Sequence, residues 1–219
     1  MRVMKATALA IALAVCTVAA QDTSKKIVGG GITAKGWQGR VDPQETKQGN
    51  TINDSKFMAM GSDLHVQTGP TAIYWNPSNT ATGDYTVKAT FTEGKSTSDH
   101  PHAAGLFIGG KGLDSETPNL VYCIAYGNGN ALVRGFSGGK VFQVNRGPNE
   151  AVNKGTNATQ EIAWVVKGDK VECLVNGKPV ASLAKADLVG AGKLDSTDGI
   201  YGIRVGHNIE MMIKGLTKQ

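Results

Sequence analysis

A chain of 219 residues with 29 glycines, 6% aromatic residues and 19% charged residues has the make-up of a turn-rich β protein rather than a helical one. Its formal charge of +5 is spread out, with no Lys/Arg cluster and no basic–aromatic interleaving to follow a phosphate backbone, so no nucleic-acid partner is expected. Beyond the N-terminal region no run is apolar enough for a membrane-spanning helix, and no transmembrane insertion is expected.

Arg2 and Lys5 form a short basic start, followed by an apolar run over 6–20 that ends in Val18-Ala19-Ala20 and turns polar at Gln21-Asp22. That run falls short of the about 20 apolar residues a spanning helix needs, and small residues at its end suit signal peptidase. The sequence therefore predicts a cleaved signal peptide over 1–20 and a secreted or periplasmic protein. Leu13-Ala14-Val15-Cys16 also resembles a lipobox, but Val15 stands where a small residue is wanted. Mass spectrometry of exported protein is expected to find Gln21 at the N-terminus; an intact Met1, or a lipid on Cys16, overturns this reading.

Removing the leader leaves 199 residues and a charge of +3. The Gly-rich stretch over 21–35 reads as a flexible leader and 36–219 as a single β-sandwich domain. Tyr85, Val87, Ala89 and Phe91 alternate with Thr86, Lys88 and Thr90, the period of a half-buried strand. The runs over 103–109 and 120–126 are apolar on both faces and suit central strands. Asn128-Gly129-Asn130 and Gly138-Gly139 predict hairpins. Another is expected around Lys167-Gly168-Asp169, between strands over 162–166 and 171–175. Asn176-Gly177 turns the chain again into a strand over 179–183. Only 184–189 reads as helical, and 200–205 and 209–213 close the series. About a dozen strands without a long helix predict an antiparallel β-sandwich or jelly roll.

Cys16 leaves with the signal, while Cys123 and Cys173 lie in strand-like runs of a chain bound for a compartment that permits disulfides. A disulfide and two buried free thiols are both compatible with the pattern, and no CxxC pair is present.

The segment from Glu161 to Val180, a Trp164-bearing strand, a Gly-Asp turn, a second strand and Val175-Asn176-Gly177, is followed downstream by Asp198-Gly199-Ile200-Tyr201-Gly202-Ile203-Arg204. This resembles the concanavalin A-like lectin/glucanase superfamily, and within it the 3-keto-disaccharide hydrolase family, over about 84–213. The resemblance implies a jelly-roll sandwich and a carbohydrate or glycan partner. Retaining glucanases of that superfamily carry a Glu-x-Asp-x-x-Glu strand whose alternate carboxylates share one cleft. Here Glu150, Glu161 and Glu172 are isolated, so such chemistry is not expected.

Candidate ligand residues follow from side-chain chemistry. His100-Pro101-His102 precedes an apolar strand, and His207-Asn208 follows another. Alternation places Tyr201, Ile203, Val205 and His207 on one face and Arg204 with Asn208 on the other. Arg204 offers planar donors to a sugar or carboxylate, or pairs structurally with an acid such as Glu172. Tyr74 and Trp75 point to opposite sides, leaving Trp75 as a stacking candidate. Tyr122 and Tyr126 share a face with Leu120 and Ile124, which reads as core, as does Trp164 beside Ile162 and Val166. Asp195 and Asp198 offer oxygen ligands to calcium, though Asp-rich turns before strands are ordinary. No other cofactor is indicated. There is no G-x-S-x-G elbow, and Gly29-Gly30-Gly31 does not open a helix. Three readings remain: a carbohydrate-binding or cell-envelope interaction module, a glycoside-cleaving enzyme, and a structural filament or matrix subunit.

Overall fold

The computed structural model describes residues 23–94 and 101–219, so the expected signal peptide and His100 lie outside the described residues. The first seven strands are β1 (Gly31–Ile32), β2 (Gln38–Val41), β3 (Lys56–Met60), β4 (Asp63–Gln67), β5 (Ala72–Ala81), β6 (Tyr85–Glu93) and β7 (Ala103–Lys111). They are followed by β8 (Asn119–Tyr126), β9 (Asn130–Ser137), β10 (Lys140–Pro148) and β11 (Thr159–Lys167). The series ends with β12 (Lys170–Val175), β13 (Lys178–Ala184), β14 (Gly199–Val205) and β15 (Glu210–Lys218). Two short helices interrupt them, α1 (Pro43–Lys47) and α2 (Lys185–Leu188). No helix among the described residues is long and apolar enough to cross a membrane.

One sheet has the order β1-β3-β4-β15-β6-β11-β12-β13 and the other β10-β9-β8-β7-β14-β5-β2. All pairings are antiparallel except the short β1–β3 pair. This is the expected β-sandwich. β6 alternates buried and half-buried residues as its sequence demands. β7 and β8 are almost wholly buried on both faces. Asn176 and Gly177 take φ of 50° and 78°, the left-handed values that a two-residue hairpin needs and that Asn-Gly adopts at low cost. α1 was not legible, because a single turn opened by Pro43 carries no periodicity to read.

The segment expected to be a flexible leader is instead bonded into the fold from residue 23 onward. Asn208 donates to the Thr23 carbonyl and accepts from the Lys25 N–H, while Ile27, Gly31 and Thr33 donate to Asp54, Ser55 and Phe57 carbonyls. Composition suggested looseness, but the backbone donors found carbonyl partners on a neighbouring loop and strand.

Between the sheets lies the main core, with Phe57, Tyr74, Phe91, Leu106, Trp164 and Ile203 almost free of solvent. Tyr74 stacks on Phe57 with ring centroids 4.4 Å apart. The two cysteine readings resolve as a disulfide: Cys123 on β8 and Cys173 on β12 are bonded across the sandwich, with Cα atoms 6.4 Å apart. It closes a loop of 50 residues. Replacing both cysteines by Ala is expected to cost about 2–4 kcal/mol in urea unfolding, chiefly by freeing the unfolded chain. An unchanged midpoint would show that the cross-link adds nothing to stability.

Candidate functional site

The seven-stranded sheet has a second apolar cluster on its outer face, turned away from its partner sheet. Ile73, Trp75, Phe107, Tyr122, Ile124 and Phe136 belong to it. Cross-strand register orders this face. Trp75, Gly202, Phe107, Tyr122 and Arg134 form one row, and Ile73, Arg204, Gly105, Ile124 and Leu132 form the next. Gly202 is needed here, since a Cβ would lie 2.6 Å from the Phe107 ring. A third row pairs Ala103 with Tyr126.

Near the ends of these strands the face opens into a groove. Its central lobe, about 310 Å³, is lined by Asp42, His102, Tyr122, Tyr126, Arg204 and His207, among others. A second lobe of about 390 Å³ shares Pro101 and Tyr126 with it and reaches Arg146 on β10. A third, about 550 Å³, shares Thr71 and His207 and reaches Glu45 on α1. The three lobes adjoin at these shared residues and form a trough along the strand ends.

The structure brings three predicted residues together. The His102 and His207 rings meet edge to face with centroids 4.6 Å apart, and both line the central lobe with Arg204. Arg204 is only 5% exposed. Its guanidinium lies 4.9 Å from the Tyr122 ring centroid and 5.7 Å from that of Phe136. Both terminal nitrogens donate to the two carboxylate oxygens of Asp42, a fork-on-fork pair. Burial alone would pull this guanidinium's pKa down, but Asp42, with Tyr122 and Tyr126, holds it above its ordinary value. The expected pairing with Glu172 does not occur. Glu172 lies in the other sheet, where it accepts from Lys170 and Ser182.

Other expectations change. His207, expected to share a face with Ile203 and Val205, instead lines the groove, because β14 ends at Val205 and alternation ends with it. Asn208, expected beside Arg204, is buried and turned by a φ of 52°, clamping residues 23–25 instead of lining the groove. Trp75 does lie opposite Tyr74, but at 3% exposure it is packed in the outer cluster and offers no platform. Tyr122 and Tyr126 share a face with Leu120 and Ile124 as expected, yet that face is the groove floor rather than the inter-sheet core. Asp195 approaches Lys111 at 3.4 Å, while Asp198 accepts the Gly83 N–H at 3.1 Å. Among the described residues no group of three or more His, Cys, Asp or Glu side chains gathers as a metal-ligand set.

Sequence reading missed Asp42, Tyr126, Arg134 and Arg146. Burial pushes the Tyr126 hydroxyl above the ordinary tyrosine pKa and Tyr122 adds to this, while Arg146, Arg134 and Arg204 pull it back. Asp42 lies just past β2, and Tyr126, Arg134 and Arg146 come from β8, β9 and β10, so only sheet order shows that they converge with Arg204 of β14.

No known protein-family profile matches the chain, and no curated protein matches it in sequence. Solved structures do. A protein of unknown function with a galectin-like fold from Bacillus subtilis superposes with a TM-score of 0.61 at 12% identity, covering 85% of this chain and 90% of that one. The laminarinase catalytic domain from Thermotoga maritima gives 0.52 at 15% identity, covering 84% and 90%. An endo-β-1,3-glucanase from Pyrococcus furiosus gives 0.51 at 10% identity, covering 84% and 87%. The chain therefore shares the jelly-roll β-sandwich fold of these structures.

Proposed function

We propose that this chain is an exported glycan-binding module whose ligand lies in the outer-face trough. The carrying observation is the trough itself, in which the half-buried Tyr126 offers an aromatic surface beside fixed polar groups on the sheet, while Tyr122 is packed beneath Arg204. Sugar rings present flat apolar faces and a rim of hydroxyls, so they need an aromatic surface beside several held donors and acceptors. The glycan-handling proteins that share the fold support the same reading.

A second reading, hydrolysis of a glycoside as in the 3-keto-disaccharide hydrolases, is favoured by one observation, the His102–His207 pair in the central lobe. Imidazole is the side chain that most readily exchanges a proton near neutral pH. A paired-carboxylate mechanism gains no support, because Asp42 is the only carboxylate among the described residues lining that lobe and is committed to Arg204.

A glycan array, run beside a 3-keto-glycoside hydrolysis assay, separates the two. Tyr126→Ala and His207→Ala, at half-buried positions, are expected to weaken binding of the best array glycan about tenfold each, with thermal stability retained. Turnover abolished by His207→Ala would favour the enzyme. An array without any binder removes the binding reading.

A further inference from the structure

We infer that the glycan taken by this trough is acidic, a chain bearing uronate carboxylates, with its charged groups held at the β9–β10 end. This rests on the proposed glycan-binding role and adds the class of sugar. Four arginines stand on the outer face of one sheet: Arg40 on β2, Arg204 on β14, Arg134 on β9 and Arg146 on β10. Three of them, Arg134, Arg146 and Arg204, lie close enough to Tyr126 to act on its hydroxyl.

Charge balance is uneven along the trough. In the central lobe and the one reaching β10, Asp42 is the sole lining carboxylate among the described residues, and Arg204 takes both of its oxygens. Among the described residues, no lining acid is left for Arg134 or Arg146. Arg134 reaches only the neutral Gln143, at 3.0 Å, and its Nε is buried with no hydrogen-bond partner among the described residues. A buried donor without an acceptor costs stability unless a ligand supplies one. The opposite lobe carries Glu45 instead, so the trough is cationic at one end only.

Geometry narrows the anion. β14 and β9 are three strand spacings apart, about 14 Å, with Tyr122 and Tyr126 on β8 between them. Cations beyond an aromatic floor suit an extended chain that alternates flat ring faces with planar charged groups. A guanidinium's paired N–H groups match a carboxylate's two oxygens.

The test is calorimetric titration of the mature protein with a galacturonate hexamer and with a laminarin hexamer of the same length but no charge. Polyglutamate serves as a non-sugar polyanion. The uronate oligomer is expected to bind at least about tenfold more tightly than the neutral one, with affinity falling as salt rises. Arg134→Gln together with Arg146→Gln should erase that preference by bringing uronate affinity down to that for the neutral oligomer, with circular dichroism confirming that the variant is folded. Equal or tighter neutral binding overturns the acidic specificity but leaves the glycan trough standing. Polyglutamate binding as tightly, with the same arginine dependence, reduces the site to bare charge and overturns it as well. Binding to neither oligomer overturns this inference, while the proposed function is then decided by the glycan array alone.

Discussion

Trp164→Ala is expected to destabilise the protein by about 3–5 kcal/mol, the cost of truncating a fully buried aromatic. The indole stands on β11 of the eight-stranded sheet, beside Cys173 of β12 and Val87 of β6. It has no solvent exposure, and its Nε1–H donates 3.1 Å across the sandwich to the Leu106 carbonyl on β7. Truncation would therefore open a cavity between the sheets and remove a hydrogen bond that ties them. Trp164→Phe separates the two effects, since it keeps most of the volume and should lose about 1 kcal/mol for the hydrogen bond, with some further packing loss. Urea unfolding monitored by circular dichroism measures both. A loss under about 1 kcal/mol for the alanine variant would show that the sheets do not depend on this side chain.

Asp42→Ala is expected to cost about 3 kcal/mol, near the lower end for breaking a buried ion pair by removing one partner. The asymmetry between the partners sets the size. The Arg204 side chain is 6% exposed, whereas that of Asp42 is 21% exposed, so water can reach the acid more easily than the base. Removing the acid strands a guanidinium above Tyr122 and Phe136, where little solvent can replace the lost acceptor. Arg204→Met in the same background should recover part of the loss by replacing the stranded charge with an apolar chain. The double-mutant cycle should return a coupling of about 1–3 kcal/mol. Additive single effects would mean that the two charges do not stabilise each other. The pair also joins β14 to the residue just past β2, across the intervening β5, so its loss should loosen the trough wall and weaken glycan binding with it.

Much of the fold was legible because strands and hairpins are written locally. The alternation from Tyr85 to Phe91, the doubly apolar runs that became β7 and β8, and the Asn176-Gly177 turn need only neighbours in sequence. Trp164 was placed in the core on the same ground. α1 and the docking of residues 23–35 were not legible, since α1 is too short to carry a period and residues 23–35 depend on partners elsewhere in the chain.

The candidate site divides in the same way. Residue chemistry alone singled out His102, His207 and Arg204, and the fold brought them to one lobe. Periodicity told which residues share a strand face, but a sheet buried on both faces looks the same from either side. Tyr122 and Tyr126 were therefore read as inter-sheet core when they floor the trough. Partners of charged groups were wholly a tertiary matter. Arg204 lies 162 residues from Asp42, and the choice of Asp42 over Glu172 follows from which sheet each carboxylate occupies. Sequence determined the strands, their turns and the chemical kinds of residue available. Strand order across the sheet decided which face is open, which charges cancel and which arginines line the trough, because hydrogen-bonded neighbours in a sheet need not be neighbours in the chain.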